Sequence, residues 1–192
     1  MGKGRLEAFS DGVLAIIITI MVLELKVPHG DGLSVLAAQW PVFLSYVLSF
    51  VYVGIYWNNH HHFLHMAERV NGKVLWANLH LLFWLSLLPV TTGWMGENHF
   101  AALPVAVYGM VLLLSALAWQ PLQRSLIGAN GGANGALAKA VGKDWKGWLA
   151  VAIYAAGIAL AFVSSTLACV LYAAVAALWF IPDRRIESRI KS

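Results

Sequence analysis

Charge is what this sequence has least of. Only 11% of its 192 residues are Asp, Glu, Lys or Arg, against 60% hydrophobic, where a soluble domain carries about 25% charged residues. So few charges cannot coat a water-facing surface. With a mean hydropathy of +0.71, the chain reads as an integral membrane protein. A single cysteine, Cys169, excludes an intrachain disulfide, and its apolar surroundings make it inert packing. No nucleophile elbow, phosphate loop or paired-carboxylate pattern occurs, so no enzyme chemistry is expected. The net charge of +4 suggests nucleic acid only until the charges are located. They sit in short loops between apolar runs, so no nucleic-acid partner is expected. The first apolar run is too long for a secretory signal, carries acids and precedes no small-residue cleavage site; it reads as a retained helix.

A hydrocarbon core about 30 Å thick takes roughly 20 apolar residues per helix. Four stretches qualify at 6–27, 34–65, 74–95 and 102–122, and two more share the run Trp148–Ile181, broken near Ser164-Ser165 into a tight hairpin. The second is long enough to tilt or to project beyond the bilayer. Breakers agree with these limits: Pro28, Gly30 and Gly32 after the first helix, Asn71-Gly72 after the second, Gly96 to Asn98 and Pro104 after the third. "GANGGANG" (Gly128–Gly135) reads as a mobile linker. Pro182 and a basic tail close the last helix. The expected fold is therefore all-α: a polytopic membrane protein of six transmembrane helices, with residues 1–192 forming one six-helix unit and no internal repeat.

With the N-terminus in the cytoplasm, every Lys and Arg except Lys26 falls on the inside: Lys3, Arg5, Arg69, Lys73, Arg124, Lys139, Lys143, Lys146, Arg184, Arg185, Arg189 and Lys191. The positive-inside rule then places both termini in the cytoplasm. Trp40, Trp94, Trp145, Trp148 and Trp179, near helix ends, suit interfacial anchoring.

The first helix begins with groups that lipid disfavours: Arg5, Glu7, Ser10 and Asp11. Solvated helix ends give one explanation, with Arg5 and Glu7 snorkelling and Ser10-Asp11 acting as a cap. Helical geometry gives another. At 100° per residue, Arg5, Phe9, Gly12, Ile16, Thr19, Ile20 and Leu23 share one stripe, with Ser10 and Asp11 on either side of it. An intramembrane Asp needs a partner. Candidates lie on the same side of the membrane: Trp57, His60, His61, His62 and His65 at the end of the second helix, and Asn78 at the start of the third. A hydrogen-bonded knot of Asp11, Ser10, a histidine and Trp57 or Asn78 would hold the first helix in register. Taken alone, Ile16, Ile20 and Leu23 read as ordinary helix packing.

Arg5-x-x-x-Phe9-Ser10-Asp11 resembles the R-x-x-x-F-S-D signature of the transmembrane protein 175 family, the lysosomal potassium channel and its prokaryotic relatives. Trp57-x-x-His60-His61, then Asn78 and Pro89, resemble the same family. The resemblance covers the first three helices by motif and the last three by hydropathy only. It implies a potassium-preferring cation channel in the cell membrane, a multi-pass homotetramer of six-helix subunits in contact with the lipid bilayer. It implies no cofactor other than the permeant potassium ion. Four copies of the first helix would line the pore, with Ile16 at the narrowest apolar ring, Leu23 further outward, Thr19 pore-lining and Ile20 contributing. Arg5, Phe9, Ser10, Asp11, Trp57, His60, His61 and Asn78 would form the structural polar network. Glu24 near the outer mouth would concentrate cations.

Other readings compete. "TTGWMG" (Thr91–Gly96) looks superficially like a potassium-channel filter, but no re-entrant pore helix precedes it. The His60–His65 cluster suggests haem or metal, because His61 and His65 are spaced i, i+4. Consecutive histidines diverge, however, and no Cys or carboxylate completes a site, so no metal is expected. A secondary transporter would want charged or broken helices at midplane, and the centres of the third to sixth helices carry no acid or base apart from His80 near an end.

Overall fold

The computed structural model describes residues 2–142 and 144–180. Lys143, Pro182 and the basic tail residues Arg184, Arg185, Arg189 and Lys191 lie outside the described residues. Among the described residues there is helix and no strand: α1 Lys3–Leu23, α2 Leu33–Ala38, α3 Trp40–Met66, α4 Gly72–Leu85, α5 Leu88–Glu97, α6 Ala102–Ala129, α7 Ala136–Val141, α8 Trp145–Ala161 and α9 Ser165–Phe180. Four stretches are long and apolar enough to cross a membrane: α1, α3, α4 with α5, and α6; α8 and α9 are shorter apolar helices.

Prolines explain two departures from the expected spans. The span expected at 34–65 divides at Gln39, and α3 opens with Pro41 in its first turn, where a missing N–H costs nothing. The span expected at 74–95 breaks at Ser86-Leu87. Pro89 cannot donate to Leu85 and disfavours helix just before itself. The Ser86 hydroxyl donates to Phe83 O at 2.7 Å instead. Asn71 caps α4 by accepting from Val74 N at 3.1 Å, and Asp144 caps α8 by accepting from Gly147 N at 3.0 Å.

The fourth span continues past its expected end at 122 to Ala129, with Pro121 inside the helix. The supposed linker therefore begins as helix, and Asn130 anchors it. Its Oδ1 accepts from Glu68 N and Arg69 N at 2.8 Å each, while its Nδ2 donates to Arg69 O at 3.0 Å and Leu126 O at 2.8 Å. One amide thus ties the end of α6 to the α3–α4 loop.

Helix α6 packs against α4, α5, α8 and α9, while α1 packs along α3, α4 and α5. The centre is aromatic. Tyr172 of α9 lies between Gly109 of α6 and Gly157 of α8, and a Cβ on either glycine would overlap its ring or hydroxyl. Tyr52 Oη donates to Tyr172 O at 2.6 Å. Ser49 Oγ lies 2.6 Å from Thr92 Oγ1 and 3.0 Å from Tyr108 Oη. These hydroxyls are satisfied inside the bundle, as lipid requires.

The wedge generates a stability prediction. Gly109→Ala and Gly157→Ala should each destabilise the purified protein by about 1–3 kcal/mol through overpacking, read as a lowered melting temperature in detergent. Gly128→Ala, where a Cβ meets open space, should not lower it.

Candidate functional site

One face of α1 is buried against the rest of the chain, and the other is bare among the described residues. Leu6, Ser10, Leu14, Ile17 and Met21 are buried. On the opposite side Phe9 is 50% exposed, Ile16 59%, Ile20 43% and Leu23 75%, with Arg5, Gly12 and Thr19 also exposed. The outward positions 5, 9, 12, 16, 19 and 23 alternate in steps of four and three. That spacing is the 3.5-residue repeat with which helices pack along a left-handed seam.

The inward face is fixed by a directed chain of hydrogen bonds. Ser10 Oγ donates to Leu6 O at 2.9 Å, so it must accept from Asn78 Nδ2, also at 2.9 Å. The amide oxygen of Asn78 then faces His60 Nε2 at 2.8 Å, which must carry the proton. Ser10, Asn78 and His60 are all buried. The bonds run head to tail, an arrangement in which each polarises the next. His60 Nδ1 is buried without a partner among the described residues.

A second set of contacts lies nearer the surface. Lys3 Nζ donates to His65 O at 3.0 Å, Glu7 Oε1 lies 3.4 Å from His61 Nδ1, and Trp57 Nε1 donates to Asp11 Oδ1 at 3.1 Å. Each step of four residues along α1 is matched by four residues back along α3. The two helices therefore run antiparallel with one turn per rung. Trp57, His61 and His65 stack along the ladder, with ring centroids 6.0 and 6.1 Å apart.

The residues expected to form one knot thus separate into two groups. Ser10 meets Asn78, and through it His60; Asp11 meets Trp57, and no histidine among the described residues bonds to it. His61 takes Glu7 instead. Arg5 and Phe9 join neither group: both are exposed, and the Arg5 guanidinium has no hydrogen bond or ion pair among the described residues. Sequence reasoning missed the Lys3 and Glu7 rungs, although the matching i, i+4 spacings of Lys3, Glu7 and Asp11 and of Trp57, His61 and His65 were there to be read. Among the described residues no group of three or more His, Cys, Asp or Glu is placed to hold a metal ion.

At the far end of α1, Lys26 Nζ donates to Glu97 Oε1 at 2.5 Å. The hydrogen bond and charge of Glu97 raise the Lys26 pKa. Glu24 is exposed beside Gly93 of α5. The Thr19 hydroxyl on the outward stripe donates to Ala15 O at 2.8 Å. Its proton is thereby committed to the helix, and its oxygen is left as an outward-facing acceptor.

Comparison with known proteins places this geometry among channels. The family model described as endosomal/lysosomal potassium channel TMEM175 matches residues 5–89, the interval that holds the Ser10, Asn78 and His60 chain, the Glu7 and Asp11 rungs and the whole outward stripe. Over 191 residues the chain is 53% identical to a potassium channel of a Chryseobacterium species, covering 100% of this chain and 99% of that one. It is 38% identical over 96 residues to the human endosomal/lysosomal proton channel TMEM175, spanning 43% of this chain and 19% of the human one. The crystal structure of a lysosomal potassium-selective channel TMEM175 homologue from Chamaesiphon minutus matches with a TM-score of 0.78 at 26% identity, covering 93% of this chain and 96% of that one.

The two groups should respond differently to mutation. Ser10→Ala strands a buried amide, and should cost about 0.5–2 kcal/mol by the scale of hydrogen bonds inside membrane proteins. Asp11→Ala, whose tryptophan partner is half exposed, should cost less. Thermal unfolding of both variants in detergent checks the order, and equal or reversed losses would contradict it.

Proposed function

Since this chain belongs to the TMEM175 channel family, we propose that it is a potassium-preferring cation channel of the cell membrane, a homotetramer in which the first helix of each copy lines the pathway. The chain is a multi-pass membrane protein, and its family is a channel family rather than an enzyme class. Each chain contributes one six-helix subunit, α2 with α3 and α4 with α5 counting as single spans, and both termini face the cytoplasm.

The observation that carries this reading is the two-sidedness of α1. A helix bonded to its own subunit along Ser10, with a heptad-spaced face left bare, is built to meet copies of itself. Four such faces around an axis would set Ile16 at a ring of branched apolar side chains. A ring of that kind excludes a hydrated ion and gates by dewetting when narrow. Ile20 and Leu23 continue the apolar wall outward. Thr19 supports the passage of a partly dehydrated cation, because its back-bonded hydroxyl offers only lone pairs to the pathway. Glu24 at the outer end would raise the local cation concentration. The ion itself is the only small species the function requires. Transport is passive, since the middles of α3, α5, α6, α8 and α9 carry no acid or base for coupling, and His80 in α4 is exposed and bonded to Trp84.

Purified protein in a planar bilayer, under mixed potassium and sodium, tests the reading. Unitary currents that reverse toward the potassium potential are expected. A carrier-like flux with no unitary steps, or current carried by protons alone, would overturn it. Ile16→Asn should raise unitary conductance severalfold and weaken potassium preference, as a polar ring keeps the constriction wet. Thr19→Val, which removes the acceptor and keeps the shape, should lower potassium preference with little change in assembly.

A further inference from the structure

A cavity inside the subunit takes no part in the pathway described above. It lies between α3, α6, α8 and α9, and α1 contributes nothing to its walls. Residues 52 to 59 of α3 and 147 to 154 of α8 bound it, about 10 Å along each helix. Tyr52 faces Tyr154 at the deep end, with ring centroids 6.2 Å apart. Asn59 and Gly147 therefore mark the shallow end, where α8 begins.

The two ends differ in chemistry. At the shallow end Gln120 of α6, 8% exposed, donates Nε2 to Asp144 Oδ2 at 2.8 Å. Its Oε1 has no partner among the described residues. Neither does the Asn59 amide nor, about one turn deeper, the Tyr56 hydroxyl. Buried polar groups need partners, and the cavity is where these three can find them. Trp119, also a wall residue, gives its N–H to Gln123 Oε1 at 2.9 Å. The deep end is apolar: Ile55, Ala150 and the rings of Tyr52 and Tyr154 line it, and the Tyr52 hydroxyl is committed to Tyr172 O.

Charge has one sign here. Among the described residues no Lys, Arg or His lines the cavity, and the Asp144 carboxylate stands behind the Gln120 amide. Tyr and Trp rings make up much of the wall, and aromatic faces attract cations. The space open to the centre of a water-sized sphere is about 40 Å³, about three times what one water needs.

We propose that this cavity binds a small amphipathic ammonium ion. Its N–H groups donate to Gln120 Oε1, Asn59 and Tyr56, and its apolar body lies against Ile55, Tyr52 and Tyr154. An ammonium has three donors for the three open acceptors, where an alcohol of the same length has one. An anion would meet no cation and would face Asp144. The site lies within one subunit, so its failure and that of the channel reading are distinguishable.

Thermal unfolding of the full-length protein in detergent at neutral pH, titrated with butylamine or with 1-butanol, tests the proposal. A saturable rise in melting temperature with butylamine is expected, as for any ligand that binds the folded state, and none with 1-butanol. Asn59→Leu should weaken the apparent affinity for butylamine about tenfold, the loss expected when a charged donor forfeits one hydrogen bond. Ala116→Leu, which fills the cavity from α6, should abolish the response. The comparison of the two ligands on wild type decides the matter even where a variant fails to fold. No saturable response to butylamine would overturn the site and leave it to water. Equal responses to the two ligands would remove the charge selection and overturn it as well. An unchanged butylamine titration in both variants would place the binding elsewhere and likewise overturn it.

Discussion

The hydrogen bond from Asn78 to Ser10 fixes which way the first helix faces. A hydroxyl and an amide inside a low-dielectric bundle have few places to go. Because Ser10 has already given its proton to Leu6 O, only a donor can satisfy it, and Asn78 turns its amide nitrogen toward α1 in response. His60 completes the set from α3. Three helices thereby agree on one rotation of α1. Turned by a quarter, α1 would bring Asp11 or Phe9 inward and leave the Asn78 amide without its acceptor.

The rest of α1 follows from that rotation. Leu14, Ile17 and Met21 fill the inner face in the turns after Ser10, and the remaining side chains are turned outward as a consequence. The ladder of Lys3, Glu7 and Asp11 against His65, His61 and Trp57 adds register rather than rotation. Each rung is exposed or half exposed, where single ion pairs contribute little, but three rungs at one-turn intervals disfavour sliding. Lys26 and Glu97 pin the opposite end. A helix held in rotation and in register can present a defined row of side chains to neighbours or to ions. Helix α4, which positions Asn78 toward α1, turns Trp76 and His80 away from it.

Much of this was legible in the sequence. The outward stripe of α1 emerged from 100° spacing alone, because a spanning helix with both small and polar groups cannot be uniform around its axis. That Ser10, Asp11, Trp57, His60 and Asn78 would meet was readable from their cost in lipid. Which of them would pair was not. Asp11 was expected to take a histidine, yet Trp57 reaches it and His60 goes to Asn78; the choice depends on the relative height of α1, α3 and α4, which no local pattern encodes. Pro89 and Pro41 were visible, but a hydropathy reading weighs their apolarity and overlooks the N–H they lack, so the breaks at Ser86-Leu87 and Gln39 were missed. Asn130 was hidden for the opposite reason. In "GANGGANG" its neighbours signal flexibility, while its amide finds four partners brought near only by the folded α3–α4 loop. The overlap of Gly109 and Gly157 with Tyr172 likewise exists only once α6, α8 and α9 converge.

Cysteine accessibility along α1 tests the central claim most directly, because Cys169 is the only native thiol to remove. Single cysteines at positions 16, 17, 19, 20, 21 and 23 in a Cys169→Ala background would be exposed to a membrane-impermeant cationic thiol reagent during recording of potassium currents. Block at 16, 19, 20 and 23, with none at 17 and 21, is the result expected if the bare face of α1 lines the ion pathway. Block at 17 and 21, or no effect at any of the six positions while the channel conducts, would place the pathway elsewhere.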